Sequence, residues 1–576
     1  MNKPNDIQVS PIVWGCYIIM FMLVELLQLN LKTWWDPIVS CSFNILFYAV
    51  ISWMLCGLTN AFVTLRRPLC LLGHALISLY ALSSLFLFVF FGRHWDALTL
   101  QFLFETNHTE AGEFVTTFLL NWRFLLIVLA FGLFFVIEYQ LYKRVHAIAF
   151  LPKRRVGRGV VVCLCLGALS NVVFFSLDAE RNYDLAAKVY SPIKRNALWN
   201  LWQSCCQYKS FQGEFDKCAM TQRQYHETVK CEEKEADVVL IIGESFNRHM
   251  SNLYEGAYPT NPQLAKRMQT GRMFLFDDVI ASHNGTTQNF KYFLSAASVG
   301  EKHRWCDAPL FPTILKRAGY NVIFYSNQLV VNDNLGQWDA SMGFMNHPGV
   351  STYFQNYRNA RKYPYDLQLV DDYAKHRSEI ERPRQNFIMF HLYGQHVNAS
   401  QRFPSTFRKF KATDVYPHYV MGKDKKSALT QEARQQVADY LNATYYNDYV
   451  VDQIMRLFEK KNALIVYFSD HGEEVNNFRA QYGRTDLQDD THEAMRCQLD
   501  VPFMIYMTPS YAKSHATMAD RLRAAQYKRF MTDDLSQLLF DVMGVKTRYF
   551  KPALSPLNAH YDASKKRLTQ YGCSYD

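Results

Sequence analysis

The sequence predicts a chain in two parts: an N-terminal domain of five transmembrane helices, then an external α/β domain with a mainly parallel sheet. Three observations predict it. The first third is far more apolar than the remainder and breaks into runs of bilayer length. From Asp237 onward, strand-like and helix-like patterns alternate, as they do in an α/β sandwich. Three of the strand-like runs end in acids and histidines, where open α/β sheets bind their ligands.

Five segments are long and apolar enough to span a bilayer, roughly 11–31, 38–58, 69–91, 118–141 and 159–177. Arg66 and Arg67 lie in the second connection, and Lys143, Arg144, Lys153, Arg154, Arg155 and Arg158 in the fourth. Basic connections stay on the cytoplasmic side, so both read as cytoplasmic, with Lys3. Everything after Leu177 is then external. Arg123 and Glu138, near the two ends of the fourth segment, read as side chains snorkelling to an interface. The connection 92–117 carries Glu105, Glu110 and Glu113 and reads, from its residues alone, as a solvated external loop. The first span is too long for a signal peptide, and no small-residue cleavage site follows it.

The formal charge of +10 sits mostly in short clusters between apolar runs. That distribution fits membrane topology and excludes a nucleic-acid partner. The organisation expected is a transmembrane domain over 1–177, a linker over 178–235 and a catalytic domain over 236–576. In the linker, Trp199 and Trp202 at helical spacing beside Lys194 and Arg195 predict an interfacial helix, with a buried domain helix as the alternative. Of thirteen cysteines, six fall in the spans and seven are external. Cys205 or Cys206 with Cys218 and Cys231 are candidate disulfide partners, although pairing cannot be deduced from sequence.

Strands are predicted over 238–242, 273–280, 321–325, 387–390, 464–468 and 503–507, and helices over 313–318 and 431–459. Glu244 follows the first of these strands, and Asp470 and His471 follow the fifth. A charge left unpaired at the end of a buried strand is costly, and a divalent metal held by N and O donors removes that cost. His396 and His492 are candidates for the same site or a neighbouring one. The run Ala281-Ser282-His283-Asn284-Gly285-Thr286-Thr287 follows a strand and precedes a helical pattern over 289–297. A hydroxyl there sits at a helix N-terminus, which favours a phosphoryl group, and metal coordination would activate it. Without metal ligands, Thr286 or Thr287 would read as a plain N-cap.

With these residues in view, the chain resembles the phosphoethanolamine transferases of Gram-negative bacteria, in the alkaline phosphatase/sulfatase superfamily. The marks are Gly243-Glu244-Ser245, Tyr258-Pro259-Thr260-Asn261-Pro262, the stretch from His391 to His396, Tyr446-Asn447-Asp448, and Phe468-Ser469-Asp470-His471-Gly472-Glu473-Glu474. The resemblance implies an alkaline-phosphatase/sulfatase-like fold for the external domain and a periplasmic location outside the inner membrane. It also implies transfer of phosphoethanolamine from phosphatidylethanolamine, through a threonine, to lipopolysaccharide (core or lipid A). Glu244, Asp470, His471 and the threonine match zinc ligands. His396 and His492 match histidines tied to a second zinc or to phosphate. Glu110 matches an acid implicated in holding the lipid donor, and Asn327 and Gln328 fall among polar substrate contacts. One branch of the family brackets its nucleophile with cysteines. This chain has none there and looks closer to the core-modifying branch, whose spacing favours Thr286, whereas the cysteine-bearing branch favours Thr287. The rival readings are a phosphoglycerol transferase of the same superfamily and a non-catalytic membrane-anchored binding protein. A sulfatase is disfavoured, since no C-x-P-S-R or S-x-P-S-R run lies near Ser282.

Overall fold

The structure is a computed structural model of the chain. It describes residues 7–27, 35–61, 65–91, 95, 99–100, 103, 114–151, 157–166, 197–254, 256–328, 343–420, 428–485, 487, 491–569 and 572–576. The chain divides into two compact units, Met1–Phe211 and Gln212–Asp576.

The first unit is helical. Helices α1 (Pro11–Leu27), α2 (Trp35–Ala61), α3 (Arg66–Phe91) and α4 (Trp122–Tyr142) are followed by the apolar helix α5 (Gly157–Leu166). Among the described residues, α3 and α4 are long and apolar enough to cross a membrane. The other described apolar stretches, Pro11–Leu27, Asn44–Asn60 and Gly157–Leu166, are shorter. The expected count of five spans therefore stands on sequence for three of them, and Glu110 lies outside the described residues. Helix α1 packs on α2, α3 and α4 around Tyr17, Phe21, Val24, Tyr48 and Ile77. Glu25 is buried in this packing and accepts from Asn44 Nδ2 at 2.6 Å and from the Tyr48 hydroxyl at 2.7 Å. Glu138 does not snorkel as its position in sequence suggests. It is buried and meets His74 Nε2 at 3.2 Å, because α3 brings an imidazole alongside it.

Helix α6 (Ala197–Gln224) crosses the division between the units. Its later residues Phe215, Cys218 and Ala219 belong to the core of the second unit. Phe215, Cys218 and Ala219 of the expected linker over 178–235 thus pack within the second unit. Trp202 is exposed. The described cysteines, Cys205, Cys218 and Cys231 among them, are free thiols, so the candidate disulfides are not formed there.

The second unit is built on a seven-stranded sheet. In chain order its strands are β1 (Asp237–Gly243), β2 (Met273–Leu275), β3 (Asn321–Ser326), β4 (Tyr357–Arg358), β5 (Asn386–His391), β6 (Ala463–Ser469) and β7 (Phe503–Met507). Their order across the sheet is β2-β7-β6-β1-β5-β3-β4. Strands β6, β1, β5, β3 and β4 pair in parallel, and β7 is antiparallel to both its neighbours. Side chains alternate between the faces. Leu240, Phe324, Met389 and Val466 enter one core, and Ile241, Tyr325, Phe390 and Tyr467 the other. Helices α7 (Thr286–Leu294) and α11 (Leu535–Met543) contribute to the first core, and α8 (Asp366–Ile380) and α9 (Gln431–Phe458) to the second. Burial on both faces is why these strands are continuous apolar runs.

Two expectations need correction. The strand expected over 273–280 is broken into β2 and a separate pair, Val279–Ile280 with Phe530–Met531. Asp277 and Asp278 interrupt it, because their backbone groups bond to Gln526 and Phe530 instead of continuing the ladder. Helix α7 starts three residues before the helical pattern at 289, which brings Thr286 into its first turn.

Beyond α10 (His492–Leu499), Asp500 ties several segments together. It accepts from His249 Nε2 at 2.7 Å, Arg248 Nη2 at 3.2 Å and Arg496 Nε at 3.3 Å, and from the Tyr575 hydroxyl. Burial pushes its carboxyl up, but the His249 hydrogen bond and the Arg248 charge outweigh burial and hold it below the ordinary range. A depressed carboxyl contributes stability above its unfolded pKa and loses it as pH falls through its folded pKa. Asp500→Asn is expected to cost about 3 kcal/mol at pH 7 and to flatten the acid limb of the stability curve below about pH 4. Thermal melts of the full-length protein across pH 3–7 check this, and parallel acid limbs for the two proteins would exclude Asp500 as the group responsible.

Candidate metal centre and nucleophile

Strands β1 and β6 pair in register, with Gly243 opposite Ser469. The residues that follow them, Glu244 and Asp470, therefore leave the sheet side by side. Ser245 turns the chain with φ 57°, a left-handed value unusual outside glycine. The Tyr440 hydroxyl holds that turn by donating to the Ser245 carbonyl at 2.6 Å and accepting from the Asn247 N–H at 2.8 Å. On the other side Gly394, with φ +51°, lies so close that a Cβ would stand 2.9 Å from the Glu244 backbone N and O. Gln328 Nε2 donates to Glu244 Oε2 at 3.1 Å and to the Leu392 carbonyl at 2.8 Å.

Glu244, Asp470 and His471 form a buried group with one ligand atom each within 4.8 Å of one another. The His471 Nδ1–H donates to the Gly472 carbonyl at 2.7 Å, so the Nε2 lone pair faces the group. Asp470 Oδ1 accepts the His471 N–H at 2.7 Å and the Ser245 N–H at 3.2 Å. Its Oδ2 is buried without a hydrogen-bond partner. The Thr286 hydroxyl lies 3.1 Å from both Glu244 oxygens and 3.2 Å from His471 Nε2. Burial and the neighbouring Glu244 push the Asp470 carboxyl up. Two carboxylates in a dry site call for a cation, and three oxygens with one imidazole nitrogen suit zinc. The orphaned Asp470 Oδ2 and the aimed His471 Nε2 fit that ion.

The hydroxyl that touches Glu244 and His471 belongs to Thr286, while Thr287 is buried about 100° further round the helix. The loop before Thr286 is braced without a covalent bond. Asn289 Nδ2 donates to the carbonyls of His283 (2.6 Å) and Gly285 (3.1 Å), and its Oδ1 accepts the His283 N–H at 3.1 Å. Asn284 Nδ2 donates to the Thr485 carbonyl at 2.7 Å and to Gln498 Oε1 at 2.8 Å.

The remaining expected residues fall differently. His396 is half-buried, its Nδ1–H donating to the Val397 carbonyl at 2.7 Å. Burial pushes its pKa down to about 4, against the opposing pull of Glu244. His492 is exposed at the start of α10 with its ring 5.0 Å from that of Tyr575, and it is not in the metal-capable group. Among the described residues one such group is found, and it includes neither His396 nor His492. Asn327 is a brace: its Nδ2 donates to Asp366 at 2.9 Å and its Oδ1 accepts the Tyr363 N–H at 2.7 Å. Asp366 also accepts the N–H groups of Tyr393 (2.8 Å) and Gly394 (3.0 Å), which ties the ends of β3 and β5 together. Gln328 supports Glu244 and is otherwise engaged by the backbone. The residue that sequence reasoning missed is Arg484, whose Nη1 lies 3.0 Å from His471 Nε2. A two-strand hairpin, Glu474–Val475 with Tyr482–Gly483, folds the chain back to deliver it. The signal in the sequence was the Gly483-Arg484 pair closing a short excursion after the acidic motif.

The fold and the site together define an α/β domain with a buried, metal-capable group beside a helix-borne hydroxyl. Residues 236–545, more than half of the chain, match the sulfatase family model, and the chain belongs to the sulfatase family. Its curated relatives are phosphoethanolamine transferases. EptC of Escherichia coli (strain K12) is 24% identical over 447 residues, covering 76% of this chain and 73% of that protein. CptA of Salmonella typhimurium is 23% identical over 480 residues, covering 80% and 78%. Among solved structures, the integral membrane protein lipooligosaccharide phosphoethanolamine transferase A (EptA) from Neisseria meningitidis aligns with a TM-score of 0.63 at 14% identity, covering 95% of this chain and 98% of that one. The C-terminal periplasmic domain of Escherichia coli EptC in complex with Zn aligns with a TM-score of 0.51 at 21% identity, covering 60% and 95%.

Gly394→Ala would put a methyl against the Glu244 backbone and strain a left-handed residue. It is expected to cost about 2–4 kcal/mol and to weaken retention of a bound divalent metal about tenfold or more. Melting of the full-length protein and metal content after graded chelator treatment measure both. Unaltered metal retention would mean that Glu244 does not depend on this contact.

Proposed function

We propose that the protein transfers phosphoethanolamine from phosphatidylethanolamine to lipopolysaccharide through a covalent phosphoethanolamine–Thr286 intermediate. The observation that carries this is the Thr286 hydroxyl held between Glu244 and His471 at the first turn of α7. The phosphoethanolamine transferase relatives support the class, and the Zn complex of the Escherichia coli EptC domain supports the metal. The organisation that goes with this reading is a multi-pass inner-membrane protein with five spans over 1–177, a linker over 178–235 and a periplasmic catalytic domain over 236–576. Glu110 in the external loop is then an acid for the ammonium of the lipid donor.

Glu244, Thr286, Asp470 and His471 would hold the zinc ion. Bound there, zinc would lower the pKa of the hydroxyl and offset charge on the phosphoryl oxygens. The proton of Thr286 lies within reach of Glu244 and His471. In the first step the Thr286 oxygen bonds to phosphorus and the phosphorus–glycerol bond breaks. Diacylglycerol leaves and takes up a proton. In the second step an acceptor oxygen on lipopolysaccharide attacks the same phosphorus and Thr286 departs. The first turn of α7 contributes free backbone N–H groups and the positive end of its dipole to the phosphoryl group. His396, neutral at pH 7 with its Nδ1 engaged by Val397, can take the acceptor's proton on Nε2. A phosphoglycerol transferase would use the same steps with phosphatidylglycerol.

Intact mass spectrometry of the full-length protein incubated with phosphatidylethanolamine, followed by peptide mapping, tests the proposal. The expected result is a phosphoethanolamine adduct on Thr286. Thr286→Ala should lower transfer by at least about a thousandfold, and Thr287→Ala should retain most of it. An adduct formed only from phosphatidylglycerol would transfer the protein to the rival activity, and activity retained in Thr286→Ala but lost in Thr287→Ala would move the nucleophile by one residue.

A further inference from the structure

Arg484 comes from outside the four groups of the metal-capable site, yet its guanidinium reaches that site. Nη1 stands 3.0 Å from His471 Nε2 and donates to the Asn284 carbonyl at 3.2 Å. Its Nε stands 3.9 Å from Glu473 Oε1, and the side chain is only 15% exposed. The Asn284 carbonyl belongs to the loop that ends at Thr286. The guanidinium thus bridges the nucleophile's loop and a metal-capable imidazole.

Charge makes this position informative. Glu244, Asp470 and Glu473 are all buried here. A phosphodiester adds another negative charge, and its transfer develops more on the equatorial oxygens. A divalent ion offsets only part of that sum. A guanidinium stays charged at any working pH and presents a planar fork of donors that matches two phosphoryl oxygens. Glu473 stands 3.9 Å from Arg484 Nε, and Nη1 reaches the Asn284 carbonyl, two residues before Thr286.

We propose that Arg484 is a phosphoryl-binding residue, receiving the non-bridging oxygens of the donor phosphodiester and of the phosphorylated Thr286. This inference rests on the reading of Thr286 as the nucleophile. The competing role is a brace that only fixes the Asn284 carbonyl and His471. Arg484→Gln keeps a donor without the charge, and Arg484→Lys keeps the charge without the fork.

The test uses zinc-loaded full-length protein in detergent, with inorganic phosphate as the probe in titration calorimetry and zinc content measured on the same samples. For Arg484→Gln, the phosphate Kd is expected to rise at least about tenfold with zinc content unchanged, and Arg484→Lys should fall between it and the unsubstituted protein. Equal phosphate affinity in all three proteins would overturn the proposal. So would loss of zinc from both variants, which would make Arg484 a brace of the metal centre. If the phosphate dependence on Arg484 holds while no phosphoethanolamine adduct forms on Thr286, the phosphoryl subsite stands and the donor assignment falls.

Discussion

Two carboxylates that would repel each other are fixed side by side by the hydrogen bonds of a parallel strand pair. The ladder between β1 and β6 puts Gly243 opposite Ser469, and the Asp470 N–H extends it by bonding to the Gly243 carbonyl at 3.1 Å. Glu244 and Asp470 therefore emerge together whatever their charges prefer. A slip of one residue would turn every side chain of a strand to the opposite face and mis-pack both close-packed cores. The energy of the apolar sheet thus holds an electrostatically unfavourable pair in place. The site acquires its appetite for a cation from that imposed proximity.

The surrounding residues reinforce this geometry from several directions. Tyr440 reaches from α9 to hold the left-handed Ser245, and Gly394 presses on the Glu244 backbone. Asp366 ties Gly394 to Asn327, which joins the residues directly after β3 and β5. Gln328, next in the chain, then lies within reach of the Glu244 carboxylate. A side chain with no contact to substrate can in this way set the position of one that has it.

Much of this was legible in the sequence, because buried parallel strands leave continuous apolar runs and the site residues follow directly on them. Glu244, Asp470 and His471 are within two residues of strand ends and could be read from that alone. The helix carrying Thr286 was recognisable, though its start was hidden by a polar first turn. Arg484 is marked only by the glycine before it, because a hairpin with no periodic pattern carries it back to the centre. His492 had suitable chemistry and suitable spacing, but α10 turns it outward beside Tyr575. Asn327 and Glu138 show a related limit. A polar residue's partner on another element cannot be seen in its own neighbourhood, whether that partner is Asp366 or His74. The break at Asp277 and Asp278 is hidden in the sequence because the apolar residues on both sides resemble one strand.

The loop before Thr286 is pinned by the side chain of Asn289, which belongs to the same helix as the threonine. A brace of this kind forms as soon as the first turns of that helix wind. It needs no oxidant and no partner distant in the chain. The nucleophile's loop is therefore held by hydrogen bonds local to its own helix.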